Sequence, residues 1–162
     1  MLLFELFDKE YPGEWQKAGS CLLRGFHVDG KQYVAQLERK NIPGNLAGYE
    51  VSFFRGDIAD NEASHSTTSD QSFPTIVYSY LFGMLAPLYA EQGGSYRFLT
   101  ELRHSSGDRN TQSKKGAIYL GMAKRLAKRK GGYVYVSKVN KASEFLLTKE
   151  PLKPGNPYWV NE

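Results

Sequence analysis

The chain contains a single cysteine, Cys21, among its 162 residues. One thiol cannot form an internal disulfide, and the sequence has no CxxC or Cys/His spacing suited to a structural zinc ion. We therefore expect a reducing, intracellular setting. Because Cys21 opens an apolar run, we interpret it as a packed side chain rather than as a nucleophile.

Long apolar runs are also missing. No stretch approaches the roughly 18 residues that cross a bilayer. The apolar start, residues 1–4, is followed at once by Glu5, Asp8 and Glu10, which is unlike a secretory signal peptide. These absences predict a cytoplasmic protein without a membrane partner.

The chain has only a small excess of positive charge. Its net charge is +4 and its pI is about 9.1. Such a balance allows a polyanionic partner without requiring one. Hydrophobic residues make up 41% and charged residues 23% of the chain, which is typical of a globular protein. Length and composition together predict one domain over residues 1–162.

Alternating apolar and polar residues predict three antiparallel strands with one buried face, at residues 21–29, 31–39 and 49–55. Asp29-Gly30 is a strong hairpin signal between the first two strands. Residues 41–48 read as a loop. The short apolar element at residues 2–8 is either a strand or a helix.

Two helices follow, at residues 73–91 and 114–130. The first has an apolar stripe, with Ser72 as its cap and Gly93-Gly94 at its end. Strands are expected at residues 95–103 and 133–139. Residues 56–72 and 104–113 are polar segments, and the proline-containing tail, residues 151–162, reads as a loop.

These elements predict an α/β (α+β) fold with a mixed sheet, in which a three-stranded antiparallel meander is followed by a β-α-β-α-β crossover. A helix between consecutive strands is typical of parallel pairing. The core of the fold is expected within residues 21–139.

This order resembles the core of the GNAT-like (Gcn5-related) N-acyltransferase fold. In that fold, a strand meander leads into a helix whose N-terminus binds the cofactor pyrophosphate, and a parallel strand, a second helix and a last strand follow. The family's second helix often follows an Asn-containing loop and carries a tyrosine one turn in. Here the loop holds Asn110, and the helix, GAIYLGMAKRL, carries Tyr119.

The resemblance implies acetyl-CoA or another acyl-CoA as donor and an unknown amine as acceptor. It also implies Tyr119 and Asn110 as catalytic residues, with Tyr119 protonating the departing thiolate. Coenzyme A would lie beside the third meander strand, at Val51, Phe53 and Phe54. At its helical spacing, Tyr119 fits equally well in an apolar stripe packed on the sheet.

The segment before the first helix departs from the family pattern, which has Arg/Gln-x-x-Gly-x-Gly/Ala there. The sequence ADNEASHSTTSDQSFP has no glycine, and Pro74 lacks an N–H donor at the helix start. Two interpretations stay open. Either hydroxyls such as those of Ser66, Thr67 and Thr68 bind the cofactor, or the fold is not catalytic.

The second helix has a basic face, which fits nucleic-acid binding because the small residues Ala117 and Gly121 would let a phosphate backbone approach. Its cations are Lys114, Lys124, Arg125, Lys128 and Arg129. The alternative is a solvated face with cations near a helix C-terminus. A non-catalytic module that binds nucleic acid or protein is therefore a second hypothesis. The chain also resembles small phage-encoded proteins. The second hypothesis therefore includes a phage accessory or anti-defence role.

Other catalytic patterns have little support. The three histidines are scattered, and His104 with Asp108, or His65 with Asp57, is a pairing common on protein surfaces. No Gly-x-Ser-x-Gly turn supports a serine nucleophile. Glu101-Leu102-Arg103 has arginine where a metal-dependent nuclease needs lysine. No metal site is predicted.

Overall fold

A computed structural model describes residues 8–57, 74–100, 114–141 and 143–162. Predictions on residues 1–7, 58–73, 101–113 and 142 lie outside the described residues. These include most of the apolar element at residues 2–8, the cap Ser72, and nearly all of the two polar segments.

Eight strands form one mixed sheet in the order β1-β2-β3-β4-β5-β7-β6-β8. The α/β class with a mixed sheet is thereby confirmed. The strands are β1 (Gln16–Ala18), β2 (Cys21–Val28), β3 (Lys31–Ile42), β4 (Leu46–Arg55), β5 (Ser95–Leu99), β6 (Tyr133–Ser137), β7 (Glu144–Thr148) and β8 (Trp159–Asn161), and the helices are α1 (Thr75–Gln92) and α2 (Lys114–Lys130).

The meander β2-β3-β4 is antiparallel, as predicted. Asp29 and Gly30 form its first turn with φ angles of 52° and 75°, the left-handed geometry that a two-residue hairpin needs. The predicted loop at residues 41–48 is wrong, because β3 runs to Ile42 and β4 starts at Leu46. Gly44 and Asn45, at φ 87° and 61°, turn the chain within three residues.

The meander is buried on both faces rather than one. Val51 and Phe53 face the helices in the main core. Leu23, Val34 and Phe54 form a second buried cluster on the other face. Strands buried on both faces lose the clean alternation that predicts a one-sided sheet.

The crossover through α1 makes β4 and β5 parallel, as predicted. The second crossover differs, because β7 lies between β5 and β6 and is antiparallel to both. The sequence analysis missed β7, whose five residues are all buried. The strand begins with the charged residue Glu144 and has no alternation of polar and apolar residues. Its sequence therefore does not mark it as a buried strand.

Strand ends also differ from the predictions. β5 ends at Leu99, and Thr100 lies outside it. β6 stops at Ser137 rather than at residue 139, because the Ser137 hydroxyl accepts the N–H groups of Val139 and Asn140 in a turn. The tail is not all loop: β8 pairs with β6.

α1 begins after Pro74 without a side-chain cap. Its predicted one-sided stripe is wrong, since its buried residues lie around the whole helix, including Ser79 and Gly83. A helix that is apolar all round is covered on all sides. One side packs on the sheet, and the other is crossed by residues 8–13, the N-terminal strap.

The strap is fixed to α1 by Tyr11. Its N–H donates to the Gly83 carbonyl at 2.9 Å, and its ring stacks on Tyr80 with centroids 4.7 Å apart. Arg24 donates to the Tyr11 carbonyl at 2.7 Å. A Cβ on Gly83 would lie 2.6 Å from both the Lys9 carbonyl and the Tyr11 ring. Glycine is therefore required where the strap crosses.

This crossing gives a matched pair of glycine substitutions. Gly83→Ala is expected to lower the free energy of unfolding by about 1–3 kcal/mol, because the strap must shift. Gly121→Ala should raise it by roughly 0.5–1 kcal/mol, since nothing lies within 4 Å of a Cβ there and alanine favours helix. Urea unfolding measures both. If the Gly83→Ala protein were as stable as the Gly121→Ala protein, the close contact between the strap and Gly83 would be contradicted.

Candidate functional site at the β4–β5 seam

The sheet has a parallel junction, here called the seam, between β4 and β5. Its ladder pairs Tyr49–Val51 with Tyr96–Phe98, yet β4 continues to Arg55. Just past β5, the Thr100 N–H donates to the Ser143 carbonyl on the β7 side at 2.7 Å. Among the described residues, the ladder between the two strands ends at Val51 and Phe98.

An aromatic cluster lies against the helix-side face of the seam. Tyr78 of α1 meets Phe53 edge-on at 5.2 Å and Tyr119 of α2 at 5.4 Å. Phe98 lies 5.3 Å from Tyr119 and 5.1 Å from Phe82. Both helices and both seam strands thus meet at one group of rings.

Tyr119, the predicted proton donor, is part of this cluster and is 1% exposed. Met122, Ala123 and Leu126 continue its buried stripe, so the packing interpretation of the helix pattern is confirmed. Burial raises the pKa of the Tyr119 hydroxyl well above its usual range, and nearby Tyr78 raises it further. The hydroxyl consequently stays protonated at neutral pH.

Lys115 is a residue that the sequence analysis missed. Its ammonium lies 5.5 Å from the centre of the Phe53 ring and 5.6 Å from that of Tyr119, within the range of a cation–π contact. It precedes Tyr119 by four residues, and this helical spacing is the signal that could have found it. Lys115 thus places a cation beside the rings of the seam.

The predicted cofactor residues fall in different places. Val51 and Phe53 point toward the helices and Phe54 toward the opposite face, each no more than 3% exposed. A ligand in the seam would therefore meet the backbone of β4 rather than these side chains. Ser66, Thr67, Thr68 and the catalytic candidate Asn110 lie outside the described residues.

A charged network spans the other face of the seam. The buried Glu144 carboxylate pairs with Arg97, whose Nε donates at 2.5 Å, and accepts the Tyr158 hydroxyl. Arg97 also reaches Glu50 at 3.1 Å, and Glu50 binds Lys40 at 2.8 Å. These contacts join β3, β4, β5 and β7 at the paired end of the seam.

The basic face of α2 is largely paired with carboxylates. Arg125 and Arg129 both bind Asp8, at 2.7 and 3.0 Å, and Lys124 binds Glu162 at 2.7 Å. Lys128 is exposed, and Lys114 starts the helix. The picture of one solvated basic face is therefore wrong for the two arginines.

Titratable residues elsewhere in the described ranges form no candidate site. His27 is exposed on β2, while His65 and His104 lie outside the described residues. Within the described ranges, no group of three or more His, Cys, Asp or Glu side chains could hold a metal ion. Cys21 is half-buried at the edge of the Leu23 cluster, as packing predicts.

Comparisons of the chain with family models, with curated proteins and with solved structures find no match. Among the helices in the described part of the chain, none has the length and apolar character needed to cross a membrane.

Buried tyrosines predict a pH dependence of stability. Burial raises the pKa of Tyr78 and of Tyr89 to about 12, whereas a tyrosine in the unfolded chain titrates near 10. Their stabilising contribution is thus complete below pH 10, and it is lost as the pH rises toward 12, because the unfolded chain releases these protons first.

Tyr78→Phe should make this loss shallower, and Tyr133→Phe, at an exposed site, should leave it unchanged. Urea unfolding between pH 9 and 11.5 would measure the slopes. If the native protein and both variants lost stability equally as the pH rose, the buried state of Tyr78 would be contradicted.

Proposed function

We propose that this chain is a GNAT-like acyltransferase that moves an acyl group from an acyl-CoA donor to an amine acceptor. One observation carries the proposal: the ladder between β4 and β5 ends at Val51 and Phe98, and β4 continues to Arg55. A meander, a helix and a parallel strand precede the second helix, which is the element order of the resembling fold. The end of this ladder corresponds to the place where that fold holds its cofactor.

Coenzyme A could bind beside a strand at the end of a ladder, because its extended arm carries amide groups. Such an arm can hydrogen-bond along a strand edge as an added peptide strand does. The Gly56 N–H donates to the Gln32 carbonyl of the neighbouring strand, so even-numbered residues of β4 direct their backbone groups toward β3. The backbone groups of the odd-numbered residues therefore point toward β5. The arm would lie along β4 between Val51 and Arg55.

Tyr119 would assist the leaving group. The amine nitrogen attacks the thioester carbonyl carbon and the C–S bond breaks. The nitrogen releases one proton to solvent, and the departing thiolate takes up one proton from solvent. A thiol has a pKa near 8.5, below that of buried Tyr119, so complete proton transfer from this hydroxyl is uphill. Its role would be to donate a hydrogen bond to the sulfur as negative charge develops there.

Lys115 would supply positive charge that the segment before α1 does not. That segment carries acidic residues and lacks the glycines of a phosphate cradle. Lys115 lies over the Phe53 ring at the seam. There its ammonium would attract the anionic part of coenzyme A. The cofactor would then depend on α2 for its charge contact.

Calorimetry with acetyl-CoA and with desulfo-CoA tests the proposal. Both ligands should release or absorb heat on binding, because the arm and the phosphates are common to both. Lys115→Ala should weaken binding about tenfold, which is the size of one charge-assisted contact. Lys128→Ala, an exposed lysine on the same helix, should bind as tightly as the native protein.

Tyr119→Phe separates binding from turnover. It should bind acetyl-CoA normally and slow thiol release in the presence of primary amines by a factor of roughly 100. No heat with either ligand at millimolar concentration would reject the acyltransferase. Normal binding with unchanged thiol release in Tyr119→Phe would reject the role of this hydroxyl.

A further inference from the structure

The last two turns of α2 concentrate positive charge. They carry Lys124, Arg125, Lys128, Arg129 and Lys130, with no acidic residue among them. Three carboxylates from outside the helix face these cations. Asp8 and Glu10 come from the strap, and Glu162 comes from the segment after β8. Among the described residues, five cations against these three carboxylates leave an excess of positive charge on this face.

Asp8 lies where an external anion could bind. Its single oxygen Oδ1 accepts from Arg125 Nη2 at 2.7 Å and from Arg129 Nη1 at 3.0 Å. Glu10 adds Lys130 at 2.8 Å. Two guanidinium groups converging on one oxygen match the way in which arginines hold a phosphate. The strap therefore fills an anion site with its own carboxylate.

These ion pairs are not what holds the strap. Tyr11 fixes it through its ring on Tyr80 and its N–H bond to Gly83. The side chains of Asp8, Arg125 and Arg129 are 41%, 32% and 26% exposed, so water and salt still reach these pairs and weaken them. An outside polyanion could displace the carboxylates while the strap stays in place.

The neighbouring stripe of α2 leaves room for such a polyanion. Ala117, Gly121, Lys124 and Lys128 fall on one exposed side of the helix. A Cβ on Gly121 would meet nothing within 4 Å. A chain of phosphates could thus lie along small residues with lysines beside it, and the two arginines flank this stripe on the side of the strap.

We propose that α2 carries a phosphodiester-binding face whose arginines are held by Asp8 and Glu10 in competition with a nucleic-acid strand. The face is separate from the seam, because it is built from the last turns of α2 and from the strap. Lys124 and Lys128 make the first contact. Arg125 and Arg129 then exchange the Asp8 carboxylate for a phosphate, and the carboxylate stays nearby as a competitor.

Anisotropy of a labelled single-stranded DNA oligonucleotide tests this competition. The double variant Asp8→Asn, Glu10→Gln keeps the shape of both side chains and removes their charge. It should bind the oligonucleotide at least tenfold more tightly than the native protein, with a steeper loss of affinity as salt rises. Adding Arg125→Gln and Arg129→Gln should abolish this gain.

A second pair of substitutions controls for net charge. Glu14→Gln with Glu91→Gln removes two carboxylates that are exposed away from α2, and it should change the affinity little. If this control gained as much as the strap variant, or if the strap variant gained nothing, the competition would be rejected. Equal binding of poly-glutamate and of the oligonucleotide by the strap variant would reject the assignment to phosphodiesters. Urea unfolding confirms that each variant is folded.

Discussion

Three residue pairs, Tyr49–Val51 of β4 with Tyr96–Phe98 of β5, join the two halves of the sheet. On one side lie the antiparallel strands β1 to β4, and on the other the antiparallel set β5, β7, β6 and β8. Antiparallel neighbours can follow each other through a short turn, whereas a parallel pair needs a crossover. Placing α1 in that crossover brings the rings of Tyr78 and Phe82 against the junction.

The two faces of this junction are built from different chemistry. On the helix side, Tyr119, Phe98 and their aromatic neighbours pack without a buried ion pair among them. On the other side, Arg97 bridges Glu50 and the buried Glu144. A buried carboxylate is costly unless it is paired and hydrogen-bonded, and Glu144 meets that condition through Arg97, Tyr158 and Asn140. This network lies at the paired end of the seam, where the three-residue ladder joins β4 and β5.

Local signals in the sequence predicted most of the elements but not their complete pairing. The turn at Asp29-Gly30 and the bounds of α2 depend on neighbouring residues, so they could be read directly. β7 could not, because its pattern depends on burial from both faces and on Arg97, 47 residues away in the chain from Glu144. The same limit applies to the site. The resemblance pointed to Tyr119, and helical spacing predicted its packed stripe. The pairing of Asp8 with Arg125 across 117 residues has no local signal.

We propose that an extended ligand lies along β4 beyond Val51. Hydrogen–deuterium exchange with and without coenzyme A tests it most directly, since it reports on the backbone of each strand. The account predicts slower exchange in peptides covering Ser52–Arg55 when the ligand is present, with exchange across the β2–β3 hairpin unchanged. Slower exchange confined to other strands, with none at Ser52–Arg55, would contradict it.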